Sequence, residues 1–392
     1  MSSYLDTIKD TSINAVARFL LIPITFLTLP ILTNNLSIVN YGLWGLIFTT
    51  NNLTMPFTGL GLPSALSRYG PNYENNKFKS AFSSLFIFKT ITTSIVSLVI
   101  LLFSNQISIM FFENRVELVR LVSFFIFIST FEPLFTRVLR IKRKIKTVSI
   151  YNLTVGYTTI LLYLIFFSFS SNIELLFEIF IIYKLLSIII IAYLCKDFIS
   201  IISFDLSVLK IFFKYGIHTL VSSISFWYIN LSDRFIMVSL IGSYSLGIYT
   251  ASYQIGTIPR IFSGIITYIL LVALSKLYDE GKMKEVKNHL SMSLLIFLSL
   301  SILFCFGAIL FSREILSFLS TDEISTNGWK TTIIVSFAHL FLGITTIFNY
   351  SLLLTKKVKL LSIIWSIALI VNIVLNFILM PILGIEGAAL AT

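Results

Sequence analysis

The strongest constraint in this sequence is a series of long apolar runs that recur from one end of the chain to the other. A run of about 18 or more mainly apolar residues forms a helix that can cross a hydrocarbon layer about 30 Å thick. Hydrophobic residues make up 56% of the 392 residues and charged residues only 12%, about half the share that is usual in soluble domains. The sequence therefore predicts an all-α, polytopic integral membrane protein.

Polar or charged turns between the apolar runs divide the chain into eleven predicted spans, and a twelfth begins at Gly384. The spans are expected near residues 13–34, 43–67, 80–103, 118–139, 148–169, 173–195, 211–240, 245–275, 291–311, 328–354 and 360–382. The chain ends at Thr392 inside the twelfth apolar run. We therefore expect the native protein to continue beyond this residue.

The distribution of basic residues predicts the orientation of the spans. If the N-terminus is cytosolic, the cytosolic segments hold twenty of the 29 Lys and Arg residues and the outer loops hold four. Because cytosolic loops of membrane proteins are enriched in Lys and Arg, this bias predicts a cytosolic N-terminus. The net charge of +11 lies in loops between spans and is not clustered on one face, so it does not indicate a nucleic-acid partner.

Short strings recur at a nearly constant distance and predict an internal repeat. The pairs are Ala65–Arg68 with Ala273–Lys276, Arg143–Ile150 with Lys356–Ile363, and Tyr41–Gly42 with Leu246–Gly247. We predict an N-terminal lobe of six spans over residues 1–204 and a C-terminal lobe over 205–392, with spans seven to eleven and the start of span twelve. Two such lobes in the same orientation are typical of secondary transporters, whose substrate site lies between the halves.

Seven charged residues are assigned to the membrane interior, where each costs about 2.5–3.5 kcal/mol at mid-bilayer and therefore needs a physical reason. The basic residues are Arg18, Lys89, Lys184, Arg234 and Arg260, and the acidic residues are Glu132 and Asp233. The resulting excess of positive charge favours an anion, above all a phosphate or diphosphate, which arginine binds with a two-pronged guanidinium.

The basic residues differ in depth and surroundings, so different roles are expected for them. Arg260 lies about fifteen residues from either end of its predicted span, directly after Pro259, and is expected at a kinked site that lines a cavity. Arg18 either lines the same cavity or extends to the cytosolic surface, and Lys89 is equally open between a cavity and a structural role. Lys184 is a weaker candidate for the cavity because only Tyr183 near it is polar.

The acidic residues are candidates for coupling transport to an ion. Asp233 and Arg234 are neighbours, so their side chains are expected to diverge by about 100° on a helix instead of neutralising each other. Glu132 either binds a coupling cation or proton, or pairs with an intramembrane basic residue, which is the favoured alternative. No phosphate-binding glycine loop, zinc signature or serine elbow is present in the sequence, so no cofactor, metal or catalytic residue is predicted.

Prolines and glycines predict either interrupted helices, which membranes tolerate where the break lines a cavity, or kinks that only serve helix packing. Pro23 and Pro30 are expected to interrupt the first span. Pro56, the glycines of Gly59–Gly61 and Pro63 are expected to interrupt the second. His218 and His339 lie within spans and are expected to be hydrogen-bonded filling residues rather than proton relays.

Three strings carry a resemblance to a known family. They are Gly59–Tyr69; Asp233–Ile236 with Gly242 and Leu246–Ala251; and Asn372–Asn376 with Pro381 and Gly384–Thr392. Together they resemble the polysaccharide-transport branch of the MOP exporter superfamily, the Wzx-type O-antigen and capsule repeat-unit flippases. The resemblance covers essentially the whole chain.

The resemblance implies two six-helix lobes around a central cavity, as in MATE transporters, with no enzymatic activity. It implies translocation of undecaprenyl-pyrophosphate-linked oligosaccharide from the cytosolic to the outer leaflet of the bacterial plasma membrane, by alternating access. Implied partners are this lipid-linked oligosaccharide, membrane lipid, a coupling cation or proton and the polysaccharide polymerase machinery. The family supplies no strict motif, so Arg18, Arg234, Arg260 and Lys89 are assigned to the substrate site from position and charge.

Two alternatives stay open at this point. A cation-coupled multidrug exporter of the same superfamily would favour acidic residues in the cavity, which the charge excess does not support. A membrane-embedded polysaccharide polymerase or ligase would need a substantial outer loop, and the longest predicted outer loops, 104–117 and 312–327, are short.

Overall fold

The computed structural model describes residues 2–200, 204–354 and 358–392, and over these ranges it contains only helices and the turns between them. The helices are α1 (Ser2–Asn35), α2 (Ile38–Gly59), α3 (Leu62–Tyr69), α4 (Asn75–Leu102), α5 (Ser104–Phe111), α6 (Val116–Ser129), α7 (Glu132–Ile141), α8 (Ile145–Phe167), α9 (Ile173–Leu194), α10 (Leu206–Gly256), α11 (Ile258–Asp279), α12 (Met283–Leu319), α13 (Asp322–Leu354), α14 (Val358–Leu383) and α15 (Ile385–Ala391). The all-α prediction is confirmed.

Nine of the described helical segments are long and apolar enough to cross a membrane. Each of the eleven predicted spans falls on helix, but α10 contains span seven and part of span eight and is counted once. The α2 helix is outside the nine, and it carries several Asn and Thr residues between Thr49 and Thr54. Large apolar side chains such as Leu303 and Phe318, which are 71% and 85% exposed, cover the outer surfaces of the helices, as expected for contact with lipid.

Contacts between Cα atoms group the chain into two compact units. The first unit comprises residues 1–28 and 43–231, and the second comprises residues 29–42 and 232–392. The predicted lobe boundary at residue 204 rests on the sequence repeat and stays a prediction. In two of the repeated pairs, the side chains of the second string lie largely outside the described residues. These strings are Ala273–Lys276 and Lys356–Ile363.

The first unit has two cores. Trp44 and Phe180 belong to an aromatic cluster in which ring centroids lie 5.4–6.3 Å apart and most pairs meet edge to face. The other core packs α3, α4, α7 and the start of α10, with Leu66, Phe82 and Phe212 fully buried. The start of α10 is held on α4, because the Asp205 N–H donates to the Ser84 hydroxyl at 2.7 Å.

Asp205 caps α10 at a position outside the candidate spans. Its carboxylate accepts hydrogen bonds from the Ser207 hydroxyl at 2.6 Å and the Ser207 N–H at 2.8 Å. Because these donors stabilise the charged form, the pKa of Asp205 lies below its ordinary value, with the Ser207 hydroxyl as the main cause.

The second unit contains a tight helix crossing between two positions of the sequence repeat. Gly42, at the start of α2, faces Gly247 in α10, and a Cβ added to Gly42 would lie 2.8 Å from the Gly247 nitrogen. Small residues allow membrane helices to approach so closely that their backbones make contact. The matching dipeptides Tyr41–Gly42 and Leu246–Gly247 therefore meet at one crossing.

The proline predictions are only partly correct. The α1 helix runs without interruption through Pro23 and Pro30, so the predicted breaks in the first span are wrong. A neighbouring helix can satisfy a backbone group near a proline, and the Tyr157 hydroxyl of α8 donates to the Leu20 carbonyl at 3.0 Å, one turn before Pro23. The break in the second span is present, and it falls at Leu60 and Gly61.

The close crossing predicts a specific stability effect. Gly42→Ala is expected to lower the stability of the protein by about 1–3 kcal/mol, because the added methyl group would overlap the α10 backbone. The melting temperature of the purified protein in detergent measures the effect. Gly307→Ala in α12 is the matched control, since no atom lies within 4 Å of its added Cβ. Equal melting temperatures for the two variants would contradict the proposed crossing.

Candidate functional site

The break between α2 and α3 opens an inner cavity in the first unit. Leu60 and Gly61 have φ angles of 45° and 72°, which glycine adopts readily and leucine rarely does. Pro63 lies in the first turn of the next helix, α3, a position that proline favours. The inner cavity has a volume of about 130 Å³ and is lined by Met55, Pro56, Gly59, Gly61, Pro63, Ser64, Lys89, Thr130, Pro133, Leu134, Arg137, Ser223 and Trp227.

Lys89 reaches this inner cavity from α4 and is only 5% exposed. Its Nζ atom lies 3.5 Å from the position of a Cβ added to Gly59, so the ammonium group sits at the C-terminal end of α2, where the helix dipole is negative. Among the described lining residues Lys89 and Arg137 are basic and none is acidic. The structure therefore places Lys89 at a cavity, and its role in substrate binding stays a prediction.

A larger open space, the vestibule, adjoins the inner cavity and shares Pro133 and Arg137 with it. The vestibule has a volume of about 730 Å³. Its lining residues are Ser67, Pro71, Glu132, Pro133, Thr136, Arg137, Arg140, Ile141, Arg143 and Asn152. Three arginines therefore face one space, whereas the sequence predicts all three only as part of the cytosolic charge bias.

Hydrogen bonds hold the first of these arginines in place. Arg137 donates through Nη1 to the Pro63 carbonyl at 3.0 Å and to the Ser67 hydroxyl at 2.9 Å. These bonds connect α7 with α3, which follows the helix break. Arg137 thus lines both the inner cavity and the vestibule.

Arg143 occupies a backbone position that normally favours glycine. After α7 the Lys144 N–H donates to the Leu139 carbonyl at 2.8 Å and the Arg143 N–H donates to the Arg140 carbonyl at 3.0 Å, the pattern of a Schellman motif. Arg143 has a φ of 54°, which costs a residue other than glycine about 1 kcal/mol. The same pair of bonds closes α11, where Gly281 takes the corresponding position with a φ of 72°.

Glu132 is the only acidic residue among the described residues of the vestibule lining, and it is partnered. It forms an ion pair with Lys184 of α9 and accepts a hydrogen bond from the Tyr151 hydroxyl at 3.0 Å. The favoured expectation that Glu132 pairs with an intramembrane basic residue is therefore confirmed. Its partner is Lys184, whose only polar neighbour in the sequence is Tyr183. A role of Glu132 in ion coupling stays a prediction.

Asp233 and Arg234 form a buried cluster in the second unit. The Arg234 Nη1 atom lies 3.1 Å from the Asp233 carboxylate, so the expectation that adjacent side chains would diverge is wrong. The Tyr249 hydroxyl donates to the same carboxylate at 2.5 Å, and the Arg234 guanidinium lies 4.8 Å from the ring centroid of Tyr253. The long arginine side chain folds back because a buried carboxylate and two aromatic rings compensate its charge better than lipid would.

Arg260 lies in the first turn of α11, just after the helix is interrupted at Thr257. Its N–H donates to the Thr257 carbonyl at 2.9 Å, and its side chain is exposed. A helix break therefore begins two residues before Pro259, where the sequence predicts a kink, and the cavity-lining role of Arg260 stays a prediction. Arg18 is also exposed, on α1 in the first unit.

His339 is buried beside Tyr253, with ring centroids 5.3 Å apart. Its Nδ1 atom lies 3.1 Å from the Val335 carbonyl, as expected for a hydrogen-bonded filling residue. The Nε2 atom has no hydrogen-bond partner among the residues that the structure describes. The side chain of His218 lies outside the described residues.

Comparison with known proteins identifies the family. Residues 31–325, about three quarters of the chain, match the model of the family described as polysaccharide biosynthesis protein. The chain belongs to this family. It is a multi-pass membrane protein with the helical fold of transporters in the MOP superfamily.

A curated relative shows the same relationship at the level of sequence. Over 180 residues the chain is 24% identical to the probable low-salt glycan biosynthesis flippase Agl15 of Haloferax volcanii, a match that covers 46% of this chain and 38% of that protein. The chain thus spans less than half the length of this curated relative.

Two solved structures share the fold at low sequence identity. The lipid II flippase MurJ in an inward closed conformation has a TM-score of 0.75 at 18% identity, covering 98% of this chain and 84% of MurJ. An inward-facing multidrug resistance MATE transporter has a TM-score of 0.64 at 14% identity, covering 96% of this chain and 90% of that protein. All three similar proteins are named as flippases or transporters rather than enzymes.

The Glu132–Lys184 pair makes a prediction about stability and coupling. Glu132→Gln is expected to lower the melting temperature, because it leaves the Lys184 ammonium largely buried without its counter-charge. Combining it with Lys184→Met is expected to restore most of the loss, with an interaction free energy of about 1–2 kcal/mol in a double-mutant cycle. Additive effects of the two substitutions would contradict the pairing. Retained transport by the stable double variant would end the coupling role of Glu132.

Proposed function

We propose that this protein is a flippase that moves undecaprenyl-pyrophosphate-linked oligosaccharide from the cytosolic to the outer leaflet of a bacterial plasma membrane by alternating access. The observation that carries the proposal is the inner cavity of the first unit, where Lys89 and Arg137 meet beside a helix break. A polytopic member of a polysaccharide biosynthesis family with a basic cavity needs an anionic substrate that belongs to glycan assembly.

The charge of the inner cavity supports a phosphate-bearing ligand. Burying an ammonium group is costly unless an anion or a dipole compensates it, and the end of α2 supplies only a partial charge to Lys89. A diphosphate provides several acceptor oxygens for the ammonium of Lys89 and the guanidinium of Arg137. Trp227 in the same lining offers an aromatic face for the sugar part of the substrate. The polyprenyl chain would stay in the lipid.

Further cationic groups are proposed for substrate binding. Arg260 stands in the first turn of α11, where the positive end of the helix dipole also favours an anion. Arg234 would contribute less, since Asp233 compensates its charge. Arg18 on α1 is the remaining candidate for substrate binding.

Energy coupling and orientation belong to the same proposal. Asp233 or Glu132 would bind the coupling cation or proton, in competition with the partners that each carboxylate has in this structure. The basic loops would face the cytosol together with the N-terminus. The lobes of residues 1–204 and 205–392 would move against each other, and the polysaccharide polymerase machinery would receive the product.

A cation-coupled multidrug exporter is the alternative function, because a MATE transporter shares the fold. The inner cavity speaks against it, since Lys89 and Arg137 would repel a lipophilic cation. The similarity of fold is common to both functions, so the sign of the charge in the cavity favours the flippase.

The decisive experiment measures in which leaflet the lipid-linked oligosaccharide accumulates. When the gene is deleted, the oligosaccharide is expected on the cytosolic leaflet, and the gene supplied in full length is expected to relieve this accumulation. If the oligosaccharide still reaches the outer leaflet while polymer is missing, a polymerase is the better explanation. If glycans are normal, drug extrusion becomes the function to test.

Lys89→Met is expected to reduce export at least tenfold in this assay, because it removes the buried charge and retains most of the side-chain volume. The amount of protein in the membrane should stay unchanged, since Lys89 makes no ion pair among the described residues. Lys287→Gln, which removes an exposed charge of α12, is the matched control. Equal export by the two variants would remove Lys89 from the substrate site.

A further inference from the structure

We propose that the vestibule of the first unit is a second binding site for a phosphate group, which shares Arg137 with the inner cavity and is completed by Arg140 and Arg143. The site adjoins the inner cavity, and its arginines are not among the residues that the sequence assigns to substrate binding. That this phosphate belongs to a lipid carrier on its way to Lys89 rests on the proposed function. The phosphate chemistry of the site rests only on the residues that line it.

The three arginines of the vestibule are regularly spaced along the chain. They follow one another at intervals of three residues along α7 and the turn after it, and all three line the vestibule. Side chains three residues apart on a helix are neighbours, and like charges in this arrangement repel each other. An anion bound between them removes the repulsion and accepts several charge-assisted hydrogen bonds.

The acidic residue of the same lining is already paired. Glu132 would be expected to compensate the arginines, but its carboxylate pairs with Lys184 and accepts from Tyr151. The Lys184 ammonium therefore pairs with the Glu132 carboxylate, which would otherwise attract the vestibule arginines. Because this carboxylate is already neutralised, it does not compensate Arg137 and Arg143, whose positive charges favour an anionic ligand.

Two hydrogen bonds hold the Arg137 side chain in one orientation. Both of its hydrogen bonds to described residues come from Nη1, to the Pro63 carbonyl and the Ser67 hydroxyl. They fix the guanidinium plane at the wall shared with the inner cavity. Its Nη2 and Nε atoms have no hydrogen bond to another described residue that would compete with a ligand. A fixed guanidinium binds a phosphate with less loss of side-chain entropy than a mobile one.

Arg143 has a strained, left-handed backbone conformation. The left-handed position that ends α7 is unfavourable for arginine, and the same motif at the end of α11 uses Gly281. A strained residue persists at a functional site when its side chain is needed there. The arginine side chain at position 143 lines the vestibule and extends the row that begins at Arg137.

The size of the vestibule suits a phosphate with attached groups. Its volume of about 730 Å³ lies within the range of small-molecule sites and exceeds the need of a single inorganic ion. The adjoining inner cavity, at about 130 Å³, is much smaller. A phosphate at the arginines would therefore leave room in the vestibule for sugar residues.

The test uses Arg143→Gly in the full-length protein reconstituted in nanodiscs of neutral lipid. Glycine suits the left-handed backbone, so the melting temperature without ligand is expected to stay equal or rise. Binding of inorganic pyrophosphate, measured by calorimetry, is expected to weaken about tenfold through loss of one charge-assisted contact. Lys146→Gln is the matched control, because it removes a charge from the same turn region without lining the vestibule. It should bind pyrophosphate as the unsubstituted protein does.

Different probes separate the possible sources of the phosphate. Farnesyl diphosphate represents a polyprenyl carrier, and nanodiscs that contain phosphatidylglycerol represent an anionic lipid headgroup. If Arg143→Gly weakens binding of farnesyl diphosphate and phosphatidylglycerol does not compete, the site takes carrier diphosphates. If phosphatidylglycerol competes equally, the site takes lipid phosphates in general. The site is overturned if the unsubstituted protein binds no pyrophosphate, or if Arg143→Gly and Lys146→Gln bind it equally.

The same variants keep this inference distinct from the proposed function. Pyrophosphate binding that depends on Arg143, together with normal glycan export in the deletion strain, would establish the site and refute the flippase. Cytosolic accumulation in the deletion strain, with pyrophosphate binding insensitive to Arg143, would support the flippase and refute the vestibule site.

Discussion

The cost of placing charge inside a membrane protein governs how this molecule is arranged. Two ion pairs reduce this cost by bringing opposite charges together. Glu132 pairs with Lys184 inside the first unit, and Asp233 pairs with Arg234 inside the second. Lys89 has only the end of a helix as compensation among the described residues. The contrast separates charges that hold the fold together from a charge that needs a ligand, and the proposed substrate site follows from it.

Helix breaks and charges occur together in the chain. Lys89 lies beside the break between α2 and α3, Glu132 follows the break between α6 and α7, and Arg260 follows the break before α11. A broken helix exposes backbone groups that lipid cannot satisfy, so such breaks persist in membranes where they are buried in protein or line a cavity. The same positions offer polar surroundings in which a charged side chain is least costly. Breaks and charges therefore favour the same places.

The fold alone does not decide between a flippase and a multidrug exporter. Its similarity extends to the lipid II flippase MurJ and to a multidrug MATE transporter, at sequence identities that establish architecture only. The family relates the chain to polysaccharide biosynthesis. Within that frame, the basic linings of the inner cavity and the vestibule favour an anionic ligand, because a site of one sign concentrates ligands of the other.

The sequence by itself determined the helical membrane class and the positions of the apolar helices, because a stretch of about 20 apolar residues must cross the bilayer as a helix whatever its neighbours are. It also singled out Lys89 and Glu132 as buried charges. Only the tertiary structure decided which charges are paired, since Glu132 meets Lys184 from another helix and Arg234 bends back onto Asp233. The vestibule was likewise decided by tertiary structure, because local sequence does not reveal which face of α7 lines a space.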